Sequence, residues 1–108
     1  MKLIDIIGYL LNPDKMDELY TIEKSKTDSE TWLIYMKGAL DIDSEIKIFA
    51  IEETDDELIY KKDGVVFIQL FPIEYAVDLI ESDLNLKGSG YSNSEIAKRL
   101  LEHRIKDA

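Results

Sequence analysis

The spacing of apolar residues predicts a helix at the start of the chain. In "LIDIIGYLL" (residues 3–11), Leu3, Ile7 and Leu10 follow the i, i+4, i+7 spacing of one helix face. Asn12 and Pro13 are expected to end this helix, because the residue before a proline avoids the α conformation. The segment carries Asp5 and no signal-peptide cleavage site follows it, so we interpret it as an amphipathic helix of the mature protein.

Two further helices are predicted near the end of the sequence. Pro72 suits the first position of a helix over residues 72–83. Ser92 and Glu95 fit a capping box, S-x-x-E, which predicts that a last helix begins there. The residues expected on the inner face of that last helix are Ile96, Ala97, Leu100, Leu101 and Ile105.

Between the helices, the sequence predicts β-strands. Five segments are rich in β-branched and aromatic residues or alternate between apolar and polar positions, namely 18–23 (weakly), 31–37, 45–53, 57–61 and 65–71. In the 45–53 segment one face is expected to be buried, whereas the other exposes Phe49 and Ile51.

The order of these elements predicts an α+β fold in one domain, residues 1–108. Lys62, Asp63 and Gly64 are typical of a hairpin turn between the last two strands. Residues 65–71 are apolar on both faces, which indicates a central strand. We therefore expect an antiparallel meander sheet of four to five strands, with the N-terminal helix and the two C-terminal helices packed on it.

Composition and charge narrow the classes of function. The chain has 108 residues, no cysteine and a formal net charge of -10, so disulfides and thiol catalysis are excluded. Such acidity is unfavourable for binding nucleic acid or anionic lipid, since phosphate binding requires clustered Lys and Arg. No apolar run reaches the roughly 18 residues of a membrane span. We expect a cytoplasmic protein that is a monomer when free.

The negative charge is concentrated in "DIDSEIKIFAIEETDDE", residues 41–57, where eight carboxylates accompany the single Lys47. Counted from Asp41, this stretch supplies carboxylates at several ligand positions of an EF-hand calcium loop, but Ile46 stands where the loop needs glycine. The period-two alternation after Glu45 also directs successive side chains to opposite faces. We expect no metal ion and no cofactor here.

Catalytic signatures are likewise missing from the sequence. The single histidine, His103, falls at the edge of the polar face of the last helix, and no serine has a G-x-S-x-G context. We therefore expect a protein that is not an enzyme.

The residues with a composition suited to a protein interface are carboxylates and two tyrosines. In the helix at 72–83, Glu74, Asp78 and Glu81 recur on one side with Tyr75 beside them. Such a row beside an aromatic side chain suits a basic partner. The expected partner-binding residues are Asp41, Asp43, Glu45, Glu52, Glu53, Asp55, Asp56, Glu57, Tyr60, Glu74, Tyr75, Asp78 and Glu81.

As a whole, the chain resembles the small acidic immunity proteins of bacterial toxin–immunity systems, including those of contact-dependent growth inhibition. The resemblance lies in the helical start "MKLIDIIGYLLN", the acidic segment "DIDSEIKIFAIEETDDE", the acidic helix "PIEYAVDLIESD" and the helical end. It implies an inhibitor that binds one cognate toxin, often a basic nuclease.

Two other classes stay open at this point. The same carboxylates suit a small Ca²⁺- or Mg²⁺-binding protein or a carboxylate-based enzyme. An acidic adaptor or a subunit of a larger assembly would instead use the exposed Phe49 and Ile51 as its interface.

Overall fold

The structure is a computed structural model that describes residues 1–15, 18, 31–83, 86, 88 and 90–106. In this part of the chain, the strands are β1 (Trp32–Lys37), β2 (Ile46–Ala50), β3 (Ile59–Lys62) and β4 (Val65–Pro72). The helices are α1 (Leu3–Leu11), α2 (Ile51–Thr54), α3 (Ile73–Asp78) and α4 (Asn93–Lys106). The predicted strand at 18–23 lies outside the described residues except for Glu18.

The four described strands form one antiparallel sheet in the order β2-β1-β4-β3. This confirms the α+β class and the predicted sheet. The apolar segment that was expected to be central, β4, indeed lies between β1 and β3. The order differs from a simple meander, because residues 51–58 carry the chain from β2 at one edge to β3 at the other.

The hairpin between β3 and β4 turns at Asp63 and Gly64, as predicted. Both residues have positive φ angles, 53° and 79°. A two-residue turn with positive φ at both positions matches the right-handed twist of the strands it joins, and it favours Asp-Gly.

Helices α1, α3 and α4 pack on one face of the sheet, as expected. Beyond α3 the chain continues as a π-helical turn, Leu79–Asp83. The core between the helices and the sheet contains Leu3, Ile6, Ile7 and Leu10 of α1 and Ile34 and Met36 of β1. From α4 it receives Ile96, Ala97, Leu100 and Leu101.

Three details of the sequence interpretation were wrong. The strand predicted at 45–53 ends at Ala50, and Ile51–Thr54 form the helical turn α2. Phe49 is buried rather than exposed, since it packs edge-to-face on Tyr35, Tyr60 and Phe67 on the sheet face away from α1 and α4. Ile105 was expected to point inward, but it lies in the last turn of α4 and is 53% exposed.

No helix in the described segments has both the length and the apolar character that crossing a membrane requires.

Candidate functional site

Strand β2 divides the acidic segment 41–57 into two groups at opposite ends of the sheet. Asp41, Asp43 and Glu45 belong to the connection between β1 and β2. This connection lies at the same end as the β3–β4 hairpin, because Gly38 N donates to Val66 O at 2.8 Å. The remaining five carboxylates follow β2, in α2 and the turn before β3.

In the first group, Asp41 forms hydrogen bonds that stabilise the connection between β1 and β2. Asp41 Oδ1 accepts a hydrogen bond from Asp43 N at 2.8 Å, and Asp41 O accepts one from Ser44 N at 3.0 Å. Such contacts are typical of aspartate in turns. Asp43 also lies 3.9 Å from Lys2 Nζ, an exposed pair of small energetic value.

The second group is presented on a constrained turn. Asp55 and Asp56 both adopt left-handed backbone conformations, with φ angles of 53° and 58°. Such conformations are unfavourable for residues with a side chain, although aspartate tolerates them better than most. The carboxylates of Asp55, Asp56 and Glu57 therefore protrude from a bend that the surrounding structure has to hold in place.

A buried polar network holds this turn against the sheet. The Tyr35 hydroxyl is fully buried; it donates to the carbonyl oxygen of Glu57 and lies 3.0 Å from Thr54 Oγ1. Gln69 Nε2 lies 3.2 Å from the same hydroxyl and donates to Asp56 Oδ1 at 3.0 Å. Because Thr54 and Gln69 are buried as well, their contacts with the Tyr35 hydroxyl form where water does not compete.

Next to this turn the surface contains an apolar groove of about 420 Å³. Leu58, Phe71, Pro72 and Tyr75 form its apolar walls, and His103 and Arg104 of α4 close one side. Leu58 is 62% exposed and Tyr75 is 41% exposed, so two large side chains of the groove walls are accessible to a partner. The groove therefore offers apolar surface that nothing in the described chain covers fully.

The aromatic wall of the groove is held in a fixed position. The Tyr75 ring contacts the Phe71 ring at 5.3 Å between centroids, close to edge-to-face. The Tyr75 hydroxyl lies 3.3 Å from Nε2 of His103. Arg104 Nε donates to the carbonyl oxygen of Gln69 at 3.2 Å, which ties the end of α4 to β4. The expected surface histidine is thus half-buried and supports Tyr75.

Several exposed carboxylates adjoin the groove-lining residues along the chain. Asp56 and Glu57 precede Leu58 directly, and the exposed Glu74 precedes Tyr75 on α3. Asp78 and Glu81 are also exposed, further along α3 and the π-helical turn. Of the predicted set, Tyr75 lines the groove, Asp56 contacts the lining residue Gln69, and Glu57 and Glu74 are exposed neighbours of lining residues in the sequence.

Tyr60 and Glu53, also predicted as interface residues, lie elsewhere. Tyr60 belongs to the aromatic cluster on the sheet face away from α1 and α4, and its hydroxyl donates to Glu53 Oε2 at 3.3 Å. Glu53 also pairs with Lys62 at 2.9 Å. Burial, followed by the negative charge of Glu53, raises the pKa of Tyr60 above its ordinary value.

The sequence interpretation did not identify Leu58, Phe71, His103 or Arg104 as parts of a site. The available signal was weak, because Leu58 begins the apolar segment of a predicted strand and its exposure depends on which helices pack nearby.

Among the described residues, no three histidine, aspartate or glutamate side chains are grouped so that they could hold a metal ion. Comparison of the chain with protein-family models, with curated proteins and with solved structures gives no significant match.

Proposed function

We propose that this chain is a non-enzymatic immunity protein, which binds and neutralises a cognate bacterial toxin in the cytoplasm. The observation that carries the proposal is the groove between Leu58 and Tyr75, an exposed apolar depression. The exposed Glu57 and Glu74 directly precede these two lining residues, and Asp56 contacts Gln69, which also lines the groove. Protein interfaces commonly combine a central apolar or aromatic contact with a polar rim.

The charge of the rim indicates the chemistry of the partner. A basic surface with a protruding apolar side chain would fill the groove and place its cations beside the carboxylates. Nuclease toxins need positive surfaces to bind phosphates, so an acidic inhibitor has a complementary target on them. Complementary charge also raises the association rate, up to about 10⁸ M⁻¹s⁻¹ or more at low salt.

The constrained turn at 55–57 supports the same function. Tyr35 holds the backbone of the turn at the carbonyl oxygen of Glu57, and Gln69 holds the Asp56 carboxylate, before any partner arrives. Less conformational entropy is therefore lost on binding. A long flexible acidic loop would lack this advantage.

The first experiment uses the chain as bait in a pull-down from an extract of the organism that encodes it. We expect one basic protein, released by high salt, whose nuclease activity is abolished by a stoichiometric amount of the bait. A captured protein that keeps its activity when saturated with bait would contradict an inhibitory function.

A pair of matched double variants then locates the interface. Glu57→Lys with Glu74→Lys reverses charge beside the groove, and Asp43→Lys with Glu45→Lys makes the same change in net charge at the other end of the sheet. We expect the groove pair to weaken binding by about tenfold or more and the distal pair to act mainly on the association rate. Equal losses of affinity in the two variants would remove the groove from the proposal.

Truncation of the apolar walls gives an independent test. Leu58→Ala and Tyr75→Ala shorten exposed side chains, so both proteins should fold. If Leu58 and Tyr75 lie at the centre of the interface, each substitution should lower the affinity for the captured toxin by about tenfold or more. Ile105→Ala is the matched control, since Ile105 is exposed to a similar extent but is not among the residues that line the groove.

A further inference from the structure

The sheet face away from α1 and α4 contains a second groove, of about 280 Å³, in which basic side chains converge. Lys37 of β1, Lys47 of β2 and Lys62 of β3 all line it, around Val65, Phe49 and Phe67. The strand register explains the convergence, because Lys47 lies opposite Tyr35, Lys37 opposite Phe67 and Lys62 opposite Val65. Residues directly opposite each other share a face of the sheet.

Three cations in one groove are unexpected in a chain with a net charge of -10. In the part of the chain that the structure describes, the ion pairs are Lys2 with Asp43 and Lys62 with Glu53. Lys37 and Lys47 thus have no carboxylate partner among these residues. Glu45 and Asp63 also line the groove, but neither forms an ion pair with the lysines.

The groove has an apolar floor. Phe49 and Phe67 pack edge-to-face with 5.2 Å between ring centroids, and they are only 5% and 8% exposed. Lys62 Nζ lies 5.6 Å from the centre of the Phe49 ring, so its ammonium group is held over the floor. The aliphatic parts of the lysines extend this apolar surface.

The geometry points to a binding site for a small organic anion, in which a carboxylate or phosphate group lies between Lys37 and Lys47 and a short apolar body rests against Phe49 and Phe67. An anion there would provide Lys37 and Lys47 with the charge partner that the described carboxylates do not supply. The volume lies just below the range of about 300–1,000 Å³ for typical ligand pockets, which favours a small body.

The observations favour a small anion over a nucleic acid strand. A single strand binds along a groove that follows its backbone over several nucleotides, whereas this groove has a volume of only about 280 Å³. The net charge of the chain would also repel a polyphosphate. This site uses other residues than the groove beside Tyr75, so it does not depend on the proposed immunity function.

The test is an NMR titration of the full chain with three probes: phenyl phosphate, inorganic phosphate and phenol. We expect phenyl phosphate to cause saturable amide shifts at Lys37, Lys47 and Val65 at concentrations up to about 10 mM. Inorganic phosphate should bind several-fold more weakly, because it lacks the apolar body, and neutral phenol should cause no saturable shift. The absence of saturation with phenyl phosphate, or equal affinity for all three probes, would overturn the proposal.

Variants test the roles of individual charges. Lys37→Gln and Lys47→Gln should each weaken phenyl phosphate binding by about threefold or more, whereas Lys61→Gln, on the opposite face of β3, should leave it unchanged. Glu53→Gln removes the internal anion that competes for Lys62, so it should tighten binding by about two- to fivefold. Unchanged affinity in both Lys37→Gln and Lys47→Gln, or a loss of affinity in Glu53→Gln, would contradict the assignment.

Discussion

Replacement of Tyr35 by phenylalanine tests whether the buried polar network stabilises the acidic turn. The substitution removes one oxygen and keeps the ring, which packs against Phe49 at 5.5 Å between centroids. The lost hydroxyl donates to the carbonyl oxygen of Glu57 and contacts Thr54 Oγ1. Because Thr54 is only 2% exposed, its own hydroxyl would be left without this partner in an environment that excludes water.

The magnitude follows from the number of groups affected. The substitution removes the hydroxyl that contacts Glu57, Thr54 and Gln69, and it leaves buried polar groups of Thr54 and Gln69 without this partner. Gln69 keeps its bond to Asp56, so we expect a cost of about 2 kcal/mol, within the range of roughly 1–3 kcal/mol for such a loss. A domain of this size has a urea m-value of about 2 kcal/mol/M, so the unfolding midpoint should fall by about 1 M. The amide of Glu57, which donates to Thr54 O at 3.1 Å, should also exchange faster with solvent.

Tyr60→Phe is the matched control, because it removes the same atom from a more exposed position. The Tyr60 hydroxyl makes an exposed hydrogen bond of 3.3 Å to Glu53, so its loss should change stability by less than about 0.5 kcal/mol. Equal urea midpoints for the two variants would refute the reasoning, since the network around Tyr35 would then contribute no more than a surface contact.

Three other predictions concern local structure and titration. Gly64→Ala should destabilise the chain by about 1–2 kcal/mol in urea unfolding, because φ is +79° at this position. Gly8→Ala, within α1, should stabilise the chain by about 0.5–1 kcal/mol. A loss of stability in both variants would indicate a steric cause instead of a backbone one. Ser92→Ala removes the hydrogen bond of 3.2 Å from Glu95 N to Ser92 Oγ and should lower the free energy of unfolding by about 1 kcal/mol. Ser92→Asp should retain the cap and most of this stability. Equal losses of stability in the two variants would contradict the capping role. The raised pKa of Tyr60 means that its contribution to stability is complete below pH 10.0, the ordinary value, and is lost as the pH rises through the folded-state value. Glu53→Gln should lower that pKa, as measured by tyrosinate absorbance with and without Tyr60→Phe, and an unchanged midpoint would contradict the influence of Glu53.

Elements whose signals are local could be predicted from the sequence. The spacing of Leu3, Ile7 and Leu10 identified α1, and the apolar run at 65–71 identified a central strand. The Asp63-Gly64 turn and the Ser92 cap also form as expected. In each case, the propensity of a few adjacent residues agrees with the final packing.

Features that depend on distant contacts could not be predicted. The sequence pattern of β2 continues through residues 51–53, so it predicts a longer strand. These residues are helical instead, and this conformation brings Thr54 to the hydroxyl of Tyr35, a residue 19 positions away. The groove combines Leu58 with residues from β4, α3 and α4, so no local pattern marks it. Ile105 has helical periodicity but lies in the last turn of α4, where it is exposed.

The separation of the two acidic groups by β2 makes their interaction dependent on ionic strength. Five residues of strand span about 17 Å. This separation exceeds the Debye length of about 8 Å at physiological salt, but it is shorter than the Debye length of about 30 Å at 0.01 M salt. The two groups should therefore behave as separate local charges in the cell and as one extended negative field in dilute buffer. Association rates with a cationic partner that are measured in dilute buffer will thus include long-range attraction from both ends of the sheet.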